Sequence, residues 1–115
     1  MKEPQFGADG YPTPETLAKI AHWPALMHDD LRGLHEFVIK AWHDTGRIRA
    51  RALHSAQEIE DGATVWAYIT GGWSGNESII GALNDNRLWW GRCWVSSRRG
   101  GCHEFEIPDA PKKGK

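Results

Sequence analysis

Residues 70–101 constrain this chain more than any other stretch. They hold four of its seven tryptophans, Trp73, Trp89, Trp90 and Trp94, among closely spaced glycines that run from Gly71 to Gly101. Four arginines, Arg87, Arg92, Arg98 and Arg99, follow Asp85 with no acid between them. One fully buried indole removes about 150–250 Å² from water, roughly 4–6 kcal/mol of transfer free energy at ~25 cal/mol per Å². Such a block either fills the core of a small domain or forms an adhesive surface.

The periodicity around the block decides the fold class. Thr13-Pro14-Glu15 is a helix start, with Thr13 as N-cap and Pro14 where its missing N–H costs nothing. That helix ends near Trp23-Pro24. A second helix spans about Asp30 to His43, with Leu31, Leu34, Phe37, Val38, Ala41 and Trp42 on one apolar stripe. The period then changes to two in Arg47-Ile48-Arg49-Ala50-Arg51-Ala52, a half-buried strand. Its alternating arginines suit an edge position, where charge discourages sheet-to-sheet pairing.

Asp61-Gly62 is a two-residue hairpin signal that would set Ile59, Gln57 and Ser55 opposite Thr64, Trp66 and Tyr68. The return strand Ala63–Thr70 is apolar on both faces and so reads as central. Ser74-x-x-Glu77 reads as a capping box before a third helix carrying Ile79, Ile80 and Leu83, which ends at Asn84-Asp85-Asn86. A last hairpin joins about Leu88–Ser96 to Cys102–Ile107 through Arg98-Arg99-Gly100-Gly101. The order is α-α-β-β-α-β-β: an α+β domain with a mostly antiparallel, four-stranded sheet of two hairpins packed with about three helices. On the last hairpin's first strand Trp90 and Trp94 share one face and Trp89 the other, so at least one indole set must be core.

The 115 residues make one domain, over 13–107, between a flexible Gly/Pro-rich segment 1–12 and a flexible polar tail 108–115. A net charge of −1 argues against binding polyanions by bulk charge. Cys93 and Cys102 have neither metal-ligand spacing nor a disulfide-scaffold pattern. No apolar run approaches the ~20 residues of a bilayer span, and the N-terminus lacks a signal-peptide core. The expected setting is a reducing cytoplasm with no membrane association.

Three chemistries compete for the Gly/Trp/Arg block. The turn of Gly71, Gly72, Ser74, Gly75 and Glu77 leads from a strand into a helix N-terminus, a place suited to anions or nucleotides. It lacks the lysine of a phosphate loop and the spacing of a dinucleotide fingerprint, so turn and cap duties explain it. Gly72-Trp73-Ser74-Gly75-Asn76 is close to a nucleophile elbow, and Asp85 and His103 follow in hydrolase order. Asn76 displaces that motif's second glycine, and the chain is short for a hydrolase sheet. The six histidines, His22, His28, His35, His43, His54 and His103, show no metal-ligand spacing. No catalytic residue, metal or cofactor is therefore assigned. Arginines beside tryptophans can stack unpaired bases or act as protein–protein hot spots. The candidate binding residues are Trp73, Asn76, Arg87, Arg92, Arg98 and Arg99. A protein partner is favoured and nucleic acid is the alternative; oligomeric state is left open.

Thr70-Gly71-Gly72-Trp73-Ser74-Gly75-Asn76-Glu77, then Ile80-x-x-Leu83, Trp90-x-x-Cys93-Trp94 and Ser96-Ser97-Arg98-Arg99-Gly100-Gly101, resembles a family of small bacteriophage and prophage proteins of unknown function. Gly10-Tyr11-Pro12-Thr13 is similar to their opening. The resemblance implies a phage context, hence the host cytoplasm and a host or phage protein as partner, and brings no activity with it. The expectation is a non-catalytic accessory protein, such as a modulator of a host factor.

Overall fold

The computed structural model describes residues 2–44, 47–50 and 62–109. Its elements are α1 (Pro14–Ala21), α2 (His28–Ala41), β1 (Ile48–Ala50), β2 (Ala63–Ile69), α3 (Ser74–Asp85), α4 (Arg87–Cys93), β3 (Trp94–Arg98) and β4 (Cys102–Pro108). The strands form one antiparallel sheet in the order β1-β2-β4-β3. This is the α+β architecture expected from the periodicity, with β2 central and β1 at an edge.

Two local expectations need correction. Tyr68 and Trp66 face Ile48 and Ala50 across the β1–β2 ladder, not Ser55 and Gln57. Ser55, Gln57, Ile59 and Asp61 lie outside the described residues. Arg87–Cys93 is a short helix rather than the first half of a strand. Asn86 explains the change: it ends α3, and its side-chain Oδ1 accepts the Trp89 N–H at 3.2 Å to start α4. Its Nδ2 donates to the Ile20 and Trp23 carbonyls at 3.0 and 2.9 Å, fastening both helices to the end of α1.

The core lies between the helices and the sheet face that carries Trp66, Tyr68, Phe105 and Ile107. Helical spacing puts Trp89 and Cys93 on the buried side of α4, while Trp90 is half-buried and Trp94 is 45% exposed. The buried indoles are hydrogen-bonded as well as packed: Trp89 Nε1 donates to the Leu31 carbonyl and Trp42 Nε1 to that of Ile69, both at 3.1 Å. Phe105 gathers Tyr68, Trp89 and Trp90 at ring separations of 4.7–5.2 Å. Of the block's four indoles, Trp89 is therefore core, Trp73 and Trp90 are half-buried at its margin, and Trp94 is exposed.

The opening segment, expected to be flexible, makes contacts of its own. Phe6 bridges to Pro12, Gln5 N–H donates to Thr16 Oγ1 at 2.9 Å, and Tyr11 reaches α3. In the expected C-terminal tail, Pro108 belongs to β4, and the Asp109 N–H donates to the Gly62 carbonyl. Residues 110–115 lie outside the described residues.

Candidate functional site

The β2–β4 ladder brings the two glycine turns together. Ile69 pairs with Cys102, and one step further the Thr70 N–H donates to the Gly101 carbonyl at 3.0 Å. Gly71 and Gly72 both have positive φ, +65° and +77°, so the chain reverses from strand to helix in a conformation open mainly to glycine. Gly101, at φ +79°, lies where any Cβ would collide with Thr70 Oγ1. Residues about thirty positions apart therefore interlock at one end of the sheet.

Trp73 stands at the start of α3 as its N-cap residue. Its ring meets Tyr11 at 5.0 Å and His43 at 4.7 Å, and a Cβ on Gly75 would overlap it. Gly75 is therefore the seat of the indole rather than part of an anion loop. Ser74 does not cap. It is the first helical residue, and its Oγ lies 2.7 Å from Tyr11 Oη. The expected capping box is absent for the same reason: the Glu77 N–H donates to the Trp73 carbonyl, and the Glu77 side chain is exposed.

Asn76 is buried, with 1% of its surface exposed. Its Oδ1 accepts the His43 N–H at 2.9 Å, and its Nδ2 donates to the carbonyls of His43 (3.1 Å) and Thr70 (3.3 Å). The amide ties the exit of α2 to the entry of α3 and so holds His43 against Trp73.

Around this scaffold is a groove of about 370 Å³ lined by His43, Asp44, Arg47 and the turn Thr70–Trp73. Arg47 lies over Gly71 and pairs with Asp44 at 3.3 Å. On the neighbouring hairpin, Arg98 is 3.7 Å from the buried Glu104 carboxylate and remains 63% exposed. Arg99 is exposed at the tip, with no carboxylate partner among the described residues. Arg47, Arg98 and Arg99 thus share this end with the carboxylates of Asp44 and the buried Glu104, and with Glu77, whose charge reaches His103. Arg47 and His43 lie outside the binding residues expected from the sequence, where the arginines of the Arg47–Arg51 stripe suit edge protection, with phosphate contact as the alternative.

No family model, curated protein or solved structure matches this chain. Function must therefore be argued from the geometry of the site.

The nucleophile-elbow alternative does not assemble. Ser74 is bonded to Tyr11, and Asp85 is at the other end of α3, about 16 Å away at ~1.5 Å rise per residue. His103 instead pairs with Ser97, Nδ1 to Oγ at 2.8 Å, while Trp94 Nε1 donates to the same Oγ at 2.9 Å. Burial lowers the His103 pKa, opposed by the Glu77 charge. Ser97 is exposed on an edge strand, where water competes for every transition-state contact, so the pair reads as cross-strand support. Among the described residues no cluster of three or more His, Cys, Asp or Glu could hold a metal ion, and no helix is long and apolar enough to cross a membrane.

Arg87 and Arg92 are not part of this end. Both are on α4, at the opposite end of the sheet. Arg87 Nη1 donates to the carbonyl and side chain of Asn84, and Arg92 lies beside Leu26, Met27 and His28.

Proposed function

We propose that this chain is a non-catalytic protein-binding module that meets its partner with the end of the sheet where the two glycine turns interlock. The observation that carries this reading is the meeting of the two glycine turns, which sets the open groove of His43, Arg47 and Trp73 at the same end of the sheet as the exposed guanidinium groups of Arg98 and Arg99. Half-buried aromatic rings and arginines on a rigid support are the residues that anchor protein interfaces. The exposed guanidinium groups of Arg98 and Arg99 at the hairpin tip favour an acidic patch on the partner. The resemblance to phage and prophage proteins supports a host or phage protein in the host cytoplasm as that partner, with this chain as its modulator.

A single-stranded nucleic acid is the weaker candidate. Tyr11, His43 and Gly75 already pack on the Trp73 ring, which leaves little of it for a base.

The test is affinity capture from host lysate with the wild type and with Arg47→Gln/Arg99→Glu, which should melt at nearly the same temperature because both side chains are exposed and Arg47 pairs only with the exposed Asp44. A captured protein that is lost with the double variant supports the reading. Equal capture by both, or single-stranded DNA binding that collapses between about 50 and 200 mM salt, refutes it.

A further inference from the structure

The loop of residues 5–12 brings a ring from the start of the chain onto the candidate site, and it is closed on itself. Phe6 bridges to Pro12, the Gly7 N–H donates to the Tyr11 carbonyl, and the Gly10 N–H donates to that of Gly7, both at 2.9 Å. Asp9 Oδ1 accepts the Tyr11 N–H at 3.0 Å. The stem is fastened to α1: the Gln5 N–H donates to Oγ1 of fully buried Thr16 at 2.9 Å, and the Thr13 N–H to the Gln5 carbonyl at 3.0 Å. The Tyr11 backbone is thus held whatever its side chain does.

The side chain is held far less firmly. Tyr11 is 39% exposed. Its ring meets that of Trp73 at 5.0 Å with a tilt of 54°, and its Oη lies 2.7 Å from Ser74 Oγ, in water's reach. Residues 5–11 are exposed throughout, and Phe6, the loop's other ring, is 48% exposed, so the loop keeps its form without burying a ring. An exposed hydrogen bond exchanges readily for one to water. Rotation about the Tyr11 side-chain bonds therefore gives up both contacts and breaks no bond of the loop.

Under that ring is a site of defined fit. It consists of one side of the Trp73 indole, which is seated on Gly75 and backed by His43, and the neighbouring Ser74 hydroxyl. Tyr11 shows what the site accepts: an aromatic ring that meets the indole at a tilt and brings a hydroxyl to Ser74. A group tethered this closely acts at an effective concentration on the order of millimolar. A contact that weak stays closed alone and yields to a competitor that makes further contacts nearby.

We propose that Tyr11 is a displaceable occupant of this site, and that the protein partner inserts a tyrosine-like side chain in its place. This rests on the reading of the glycine-turn end as the binding surface, and adds the class of side chain that it takes.

p-Cresol, the tyrosine side chain as a free molecule, tests the proposal without a partner. Nuclear magnetic resonance of the full chain reads the Trp73 indole N–H and the Tyr11 ring. Tyr11→Ala, shown by its melting to be folded, should bind p-cresol beside Trp73, and should bind toluene, which lacks the hydroxyl, more weakly. The wild type should bind p-cresol at the same place about tenfold more weakly and release Tyr11. A side chain open on the order of 10% of the time lowers a competitor's apparent affinity by that fraction. Tyr11→Phe, which gives up the Ser74 bond, should lie between the two. A Trp73 signal in Tyr11→Ala that p-cresol leaves unmoved, equal affinities of that variant and the wild type, or a Tyr11 ring that stays on Trp73 at every p-cresol concentration would overturn the proposal. So would release of Tyr11 by single-stranded DNA and not by p-cresol. The lysate capture depends on neither p-cresol nor Tyr11, so the two readings fail separately.

Discussion

Acidification from neutral to about pH 4 should remove about 3 kcal/mol of stability through His35 alone. This residue sits on α2 with 4% of its surface exposed, and its ring lies 4.7 Å from that of Trp66. Its Nδ1 is 2.5 Å from Tyr68 Oη. Burial pushes the Tyr68 phenol well above its ordinary range, so it keeps its proton and donates to Nδ1, and the imidazole is the acceptor. A protonated ring would set donor against donor in a site closed to water. Burial accordingly pushes His35 down from 6.5 to about 4.

The unfolded chain takes up a proton as pH falls through about 6.5, while the native protein resists until about 4. Stability is therefore complete above the unfolded value, declines between the two, and has lost this contribution once pH falls through the native one. At about 1.4 kcal/mol per tenfold difference in proton affinity, the interval corresponds to about 3 kcal/mol. Urea unfolding across this pH range, for wild type and His35→Gln, isolates the effect. Glutamine offers Tyr68 an acceptor and does not titrate, while carboxylates and His103 contribute equally to both proteins. The wild-type advantage should shrink by about 3 kcal/mol between neutral pH and pH 4, a relative loss of roughly 1–3 M in the urea midpoint. A difference that stays constant over that interval would refute the reasoning.

Gly75→Ala should destabilise by about 1–3 kcal/mol in thermal or denaturant unfolding, although alanine normally favours a helix, because the new methyl displaces the Trp73 ring. Asn86→Ala should cost about 2–4 kcal/mol, since it removes the α4 cap and two bonds to α1 carbonyls; urea titration measures this. Burial pushes the Cys93 thiol up to about 12. A disulfide reagent at neutral pH should therefore modify one thiol per native chain, that of half-buried Cys102, and two only after denaturant is added.

Elements whose local pattern agrees with their tertiary role were legible in the sequence. Thr13-Pro14 caps α1, the 3/4 stripe of α2 faces the core, and β2, apolar on both faces, is an inner strand between β1 and β4. Helix α4 was not legible, because Leu88–Val95 fits two periods equally well. Trp89 and Cys93 are four apart, as a helix wants, while Leu88, Trp90, Arg92 and Trp94 alternate as in a strand. A contact far away in sequence decides between them, Asn86 on Ile20 and Trp23. The same holds at the site. Arg98 and Arg99 beside a glycine turn are readable as an exposed tip, but the meeting of that turn with Thr70 depends on strand register. Ser74 and Glu77 follow the spacing of a cap, yet the Tyr11 hydroxyl takes Ser74 and the helix starts one residue earlier.

Tyr11 closes over Trp73 from a stretch that composition alone would mark as a dispensable leader. A version shortened past Tyr11 would therefore uncover the indole beside its groove. Such a version should present an altered contact surface even where its melting profile is intact.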